Sequence, residues 1–378
     1  MPAHNLPFLP FARPTLDETM ITEVADTLRS LWITSGPQVI AFERALSDYH
    51  GGRPVRAFSS ATAALEVALL TIGVGPGDEV IVPAQTFFAC ANAVARTGAT
   101  PVFVDVDPIT RNMDLNAAER AVTPRTRALM PTHFAGWPLD PSALYALAQH
   151  HQLRVIEDAA LAIGSHWQGQ RIGSFGDIVS FSFHPNKTIT TIEGGALVFP
   201  DEREAVIAER LRFHGIVRLP DGTRDVVVTG GKSNLPDVNA RLGLSQLARL
   251  DEFVQIRHTL VGRYFERLQE NPHCSLPCRG DDGHSWNFFA PLLALEKLRH
   301  SRKQIMDTLH QHGIGTGISY EALHLTTRYG TGHHPGDFPH AERIANSTLT
   351  LPLYPTLTLP DIDRVCDRFI EVLEEAAS

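Results

Sequence analysis

No apolar run in this chain approaches the roughly 18 residues of a membrane span, so a membrane is not expected among its partners. The first residues, Met1-Pro-Ala-His-Asn, lack the charged and apolar regions of a signal peptide, and the cytoplasm follows as the expected location. Basic residues are in the minority, 33 against 42 acidic, for a net charge of −9. That balance argues against nucleic acid or an anionic surface as the main partner. Cysteine is scarce: Cys90, Cys274, Cys278 and Cys366 are all there are. Cys274 and Cys278 have no second pair to complete a zinc site, so reduced structural or surface thiols are expected. The 18 histidines show no His-Glu-x-x-His spacing, and His333-His334, in a Gly/Pro-rich segment, reads as a solvated loop rather than a metal site. There is no internal repeat and no low-complexity tail.

What is present is an ordinary globular composition, 378 residues with 43% hydrophobic and 20% charged, long enough for about two domains. Thr15 with Glu18 fits a capping box ahead of Ile21, Val24, Ala25, Leu28 and Leu31 at helical spacing. Pro37 suits the first turn of a second helix. From residue 54 strands and helices alternate. The strand-like runs are Val55–Phe58, Glu79–Val82, Val102–Val106, Ala128–Thr132, Leu153–Ile156 and Ile178–Phe183. Helical patterns fill Ala63–Ile72, Phe87–Thr97, Asn116–Ala121 and Ser142–His151. Several strands are continuous apolar runs, as expected when both sheet faces are covered. The pattern predicts an α/β three-layer sandwich with a mostly parallel sheet over residues 1–235. From Pro236 a long helical stretch begins. Strands over Phe288–Leu293 and Ile314–Ser319, and helices over Ser301–His312 and Pro360–Glu375, then predict a smaller C-terminal α+β domain, residues 236–378. Residues 328–340 read as a surface loop.

The chemistry concentrates at strand ends, where open α/β sheets bind ligands. Lys187 follows the run ending at Phe183, and Asp158 ends the run beginning at Leu153. A lysine amine can form a Schiff base with an aldehyde cofactor and later act as a base. Pyridoxal phosphate (PLP) also needs a carboxylate at its pyridine nitrogen, and its phosphate needs hydroxyls and free N–H groups at a helix start. Ser59-Ser60-Ala61-Thr62 supplies the last, and Thr86-Phe87-Phe88 offers a ring to stack on the cofactor. Singly, each has a plainer reading. A lone Lys is usually a solvated group, a strand-end Asp usually a helix cap, Ser-Ser-Ala-Thr a common helix start and Phe87 a core residue. Together, in this order, they point to a PLP enzyme.

Over nearly its whole length the chain resembles the DegT/StrS family of PLP-dependent sugar aminotransferases, which have the type I aminotransferase fold. The likeness runs through Trp32-Ile-Thr-Ser-Gly-Pro, Ser59-Ser-Ala-Thr-Ala-Ala-Leu, Gly77-Asp-Glu-Val-Ile-Val-Pro-Ala-Gln-Thr-Phe and Gly98-Ala-Thr-Pro-Val-Phe-Val-Asp-Val-Asp. It continues through Ile156-Glu-Asp-Ala-Ala, Phe181-Ser-Phe-His-Pro-Asn-Lys, Glu193-Gly-Gly-Ala, Ser233-Asn-Leu-Pro-Asp-Val-Asn-Ala and Gly313-Ile-Gly-Thr-Gly-Ile-Ser-Tyr. The resemblance implies that Lys187 bonds the cofactor and shuttles the proton, that Asp158 meets the pyridine nitrogen, and that Phe87 stacks on the ring. It places Ala61, Thr62 and Ser182 at the phosphate, joined by Asn234 from the neighbouring subunit of a homodimer. His184, Tyr320 and His324 fall where the family lines its sugar site.

Two positions depart from the family pattern. Leu161 stands where a Gln or His usually contacts the ring hydroxyl, and Ile192 stands where Gly is common, which is expected to reshape the mouth of the site. The implied reaction has two half-reactions with ping-pong kinetics. An amino acid, L-glutamate, leaves its amine as pyridoxamine phosphate (PMP), and a keto-sugar takes it. The likeness leans to the branch that aminates 4-keto groups of nucleotide-linked sugars, the UDP-4-amino-4-deoxy-L-arabinose aminotransferases being nearest. An aminocyclitol or free keto-sugar as acceptor, a PLP-dependent sugar dehydratase and a catalytically silent scaffold stay open as alternatives. Arg218 is a further candidate for a phosphate or carboxylate contact, although a lone Arg is more often surface.

Overall fold

The computed structural model describes residues 7–377, so the Met1-Pro-Ala-His-Asn segment lies outside the described residues. Ahead of the sheet come Glu18–Arg29 (α1) and Pro37–Tyr49 (α2). The expected Thr15 capping box does not form. Asp17 is the N-cap, its carboxylate accepting the Met20 N–H at 2.9 Å, while Thr15 Oγ1 has no hydrogen-bond partner. A carboxylate wins here because its other oxygen also pairs with Arg249, at 3.0 Å, a contact distant in sequence.

Val55–Phe58 (β1), Glu79–Pro83 (β2), Thr100–Val104 (β3), Thr126–Leu129 (β4), Arg154–Asp158 (β5), Ile178–Ser182 (β6) and Gly195–Val198 (β7) form one seven-stranded sheet. Its order is β1-β7-β6-β5-β4-β2-β3. The β2–β3, β2–β4, β4–β5 and β5–β6 pairs are parallel, and β7 alone runs against its neighbours. The strand pattern passed over β7 because it opens on Gly194-Gly195. Contact explains those glycines: a Cβ on Gly195 would lie 2.5 Å from the Ala61 nitrogen.

Side-chain alternation sends the strands to two cores. Val80, Val82, Ile156, Ile178 and Leu197 meet Ala61–Thr71 (α3), Ala89–Arg96 (α4) and Glu202–Arg212 (α7) on one face. On the other, Ile81, Leu129 and Val155 pack on Leu115–Arg120 (α5) and Pro141–His151 (α6), while Val55, Val179, Phe181 and Ala196 pack on α2. This is the predicted three-layer α/β arrangement. Most of the side chains in these layers are fully buried, each contributing roughly 1.5–3 kcal/mol for a large aliphatic group.

The long helical stretch from Pro236 is two helices, Asp237–Leu247 (α8) and Leu250–Leu268 (α9), because Arg249 leaves helical geometry (φ −109°, ψ 6°). Helix α8 packs on α1 and α2, and the first turn of α9 still belongs to the large part, through Leu250 and Phe253. The second core begins at Leu260 and takes in Arg302–Gln311 (α10) and Leu359–Ala377 (α12). The chain therefore changes core within α9, later than the expected 235/236 boundary, and Leu9 also joins the second core. Of the two expected C-terminal strands, only Leu292–Leu293 pairs as a ladder, with Cys274–Ser275, and Ile314 and Gly317 make isolated bridges. Residues 328–338 lead into Pro339–Ser347 (α11), whose first N–H groups at His340 and Ala341 are capped by Asp105 at 3.1 and 2.8 Å. No helix among the described residues is long and apolar enough to cross a membrane.

Candidate active site

The carboxyl ends of β1, β2, β4, β5 and β6 converge on one cavity of about 280 Å³. After β1 the chain turns at Ser60, whose Oγ accepts the Ala63 N–H at 3.1 Å and caps α3. The next N–H groups, of Ala61 and Thr62, lack intrahelical acceptors by their position in the first turn. They face the cavity with the positive end of the α3 dipole behind them. After β6, buried Ser182 and then Lys187 reach the same space.

Lys187 sits on a turn closed by its own N–H to the His184 carbonyl, 2.9 Å. Burial pushes its ammonium down to about 8, with the Asp158 charge acting the other way. Asp158 is 4% exposed at the end of β5. Its N–H reaches the Pro131 carbonyl at 2.8 Å, and its Oδ1 accepts the Ala160 N–H at 3.1 Å. The neighbouring Glu157 points to the opposite sheet face, where it bonds His133 at 2.8 Å and the Tyr145 hydroxyl. Strand alternation thus leaves one carboxylate for the cavity and uses the other in the frame.

Phe87, half exposed at the cavity rim, tilts against Tyr320 at 5.7 Å. Burial raises the Tyr320 hydroxyl well above its ordinary range, so it stays protonated. His184 lines the cavity and shares a 2.8 Å hydrogen bond with Asn186 Oδ1. Eight predicted residues therefore meet in one place: Ala61, Thr62, Phe87, Asp158, Ser182, His184, Lys187 and Tyr320. His324 does not join them. It is fully buried, and its Nε2 lies 3.1 Å from Glu342, which also accepts the Gly336 and Phe338 N–H groups. Its observed contacts tie the 328–338 loop to α11 rather than reach the cavity. Asn234 lies outside this chain's cavity, in an exposed groove with Ser35 and Arg218, and donates to Ser35 Oγ at 2.9 Å.

Sequence reasoning missed Thr132, Asn186, Glu193 and Gly194, which also line the cavity. Thr132 was within reach, since it follows β4 as Asp158 ends β5. Leu161 is 3% exposed and packs with Phe134, Phe288 and Tyr320, giving the cavity one apolar wall. Ile192 does not line the cavity. It is exposed, at φ +70°, where a β-branched residue is strained. Ile192→Gly is expected to raise the unfolding free energy by about 1 kcal/mol, read as a shift in the urea midpoint. An unchanged or lower midpoint would show that the Ile side chain makes contacts outweighing the strain.

The DegT/DnrJ/EryC1/StrS aminotransferase family profile matches residues 14–370. The chain belongs to this family. The SpsC protein of Bacillus subtilis, a spore coat polysaccharide biosynthesis protein, is 38% identical over 98% of both chains. Spr1654 of Streptococcus pneumoniae, assigned as a sugar aminotransferase and solved in a PMP form, superposes with a TM-score of 0.92 at 33% identity, covering 98% of each chain. PseC of Helicobacter pylori, an aminotransferase of pseudoaminic acid biosynthesis, has a TM-score of 0.92 at 27% identity, over 97% of this chain and all of PseC.

This aminotransferase is PLP-dependent, and the cavity fits the cofactor in both of its states, PLP and PMP. The Lys187 amine and the Asp158 carboxylate line it together with the free N–H groups at the start of α3 and two hydroxyls, Thr62 and Ser182. A Cβ on Gly195 would lie 2.5 Å from the Ala61 nitrogen, so glycine there lets the backbone pass this close to the start of α3.

Proposed function

We propose that this aminotransferase moves the amino group of L-glutamate to a keto-sugar, a 4-keto sugar linked to a nucleotide, working in the cytoplasm as a homodimer. The observation that carries the reading is the shared cavity of Lys187 and Asp158, with the N-terminus of α3 beside it. The sugar-directed relatives and the full family match support the acceptor class.

When bound, PLP acts as an electron sink for the carbon next to its nitrogen. Ala61, Thr62 and Ser182 hold its phosphate, Asp158 keeps the pyridine nitrogen protonated, and Phe87 covers the ring. Lys187 Nζ moves the proton at the reacting carbon. An amine held near 8 is roughly one-tenth neutral at pH 7, about two-hundredfold more than an ordinary lysine, so it can accept that proton and return it. His184 and Tyr320 face the acceptor side. Asn234, half-buried and outside its own cavity, completes the phosphate site of the second subunit.

The first experiment is the visible absorption of the purified protein before and after L-glutamate. We expect a band from the lysine-bound cofactor that bleaches on addition. A band that glutamate leaves unchanged would refute glutamate as donor. Keto-sugar loss without amination would favour a dehydratase.

A further inference from the structure

The contact behind Asp158 comes from a residue that does not touch the cavity. Cys90, the second residue of α4, is 0% exposed, and its Sγ lies 3.0 Å from Asp158 Oδ2. An ionised carboxylate only accepts, so the thiol donates. Thr86 and Thr132, which do line the cavity, flank the pair. Their hydroxyls bond each other at 2.8 Å and stand 3.7 and 3.9 Å from the sulfur. Neither hydroxyl bonds Oδ2, whose hydrogen bond comes from the thiol.

We propose that Cys90 is a positioning residue, its S–H fixing the rotation of the Asp158 carboxylate toward the cofactor's pyridine nitrogen. Oδ1 is held by the Ala160 N–H and Oδ2 by Cys90. The two bonds come from different elements, β5's own turn and α4, so together they define one plane for the carboxylate. Each oxygen keeps a lone pair free. A thiol is a weak donor, so it orients the carboxylate while neutralising little of its charge. The first turn of α4 adds a favourable dipole for that charge. Burial and the Asp158 charge both raise the Cys90 thiol far above its ordinary range, which keeps the proton on sulfur. The inference rests on the reading of Asp158 as the pyridine partner.

Three substitutions separate orientation from packing. Cys90→Ser keeps a donor, Cys90→Val keeps apolar volume without one, and Cys90→Ala removes both. PLP affinity of each apoprotein is measured by equilibrium dialysis. We expect Ser within about twofold of the parent and both Val and Ala weakened about tenfold, the size of one lost hydrogen bond to a charged group. Binding by Cys90→Val equal to the parent, with Ser impaired, would make the residue a packing element and overturn the proposal. A second readout needs no cofactor. The S–H stretch, isolated as the infrared difference between parent and Cys90→Ala, is expected at the lowered frequency of a thiol bonded to a carboxylate. A band at the frequency of a non-bonded thiol would overturn the contact itself. Asp158→Asn tests the underlying role separately: unchanged PLP affinity there would refute the Asp158 assignment, whatever the S–H band shows.

Discussion

Lys187→Ala is expected to stop both half-reactions, with turnover falling at least about 10³-fold. The side chain is the amine in the cavity with burial enough to release a proton near neutrality. No ion pair holds its ammonium among the described residues, so nothing competes for it. Ala at this position leaves the phosphate cradle and Asp158 in place, so cofactor binding should persist without the covalent bond. The combined signature is PLP retained at micromolar concentration, no visible band of the lysine-bound form, and no exchange of amine between glutamate and 2-oxoglutarate. Undiminished exchange by this variant would rule out the mechanism. His184, which also lines the cavity, carries an imidazole partly committed to Asn186, and it offers no substitute for the amine.

Acid should destabilise the fold well before carboxylates titrate. His50 is fully buried and stacks on Phe181 at 4.7 Å and 15°. His284 stacks on Trp286 at 3.6 Å and has one partner, the Ala135 carbonyl at 3.1 Å. Burial pushes both imidazoles down to about 3 from an ordinary 6.5. Between those values the unfolded chain binds a proton that the folded chain refuses. Stability is therefore full above about pH 6.5 and is lost as pH falls toward 3. From pH 6.5 to pH 5 the loss is roughly 2 kcal/mol for each histidine. Urea unfolding at the two pH values measures it. His50→Phe, which keeps a ring against Phe181, should remove about half of the slope. A parent whose unfolding free energy is flat over this interval would show that the rings take up protons in the folded state.

Sheet, helices and cofactor chemistry were readable because they depend on local order. Val55–Phe58 appeared as the strand it is, since an apolar run of that length between turn residues has few other uses. The strand ends carrying Asp158 and Lys187 were visible for the same reason, and the family motifs follow the same ends. Thr15 misled because a capping box is scored on sequence spacing alone, whereas Asp17 won through Arg249, far along the chain. The helix from Pro236 was read as one because its apolar spacing continues across Ala248-Arg249, and the change of core comes later, within α9. The family resemblance placed His324 at the sugar site with Tyr320. The chain turns between them, and the imidazole is committed to Glu342.

The order of residues by itself determined the α/β class, the cofactor and the pairing of Lys187 with Asp158, because each is written in short-range periodicity and in residue types at strand ends. Only the tertiary structure decided what Glu157 does, bonding His133 and Tyr145 in the frame, and which thiol stands behind Asp158. Cys90 and Asp158 are separated by 68 positions and lie in different elements. Their contact exists because parallel pairing carries β2, β4 and β5 side by side and delivers their carboxyl ends to one point, a coincidence that no local pattern encodes.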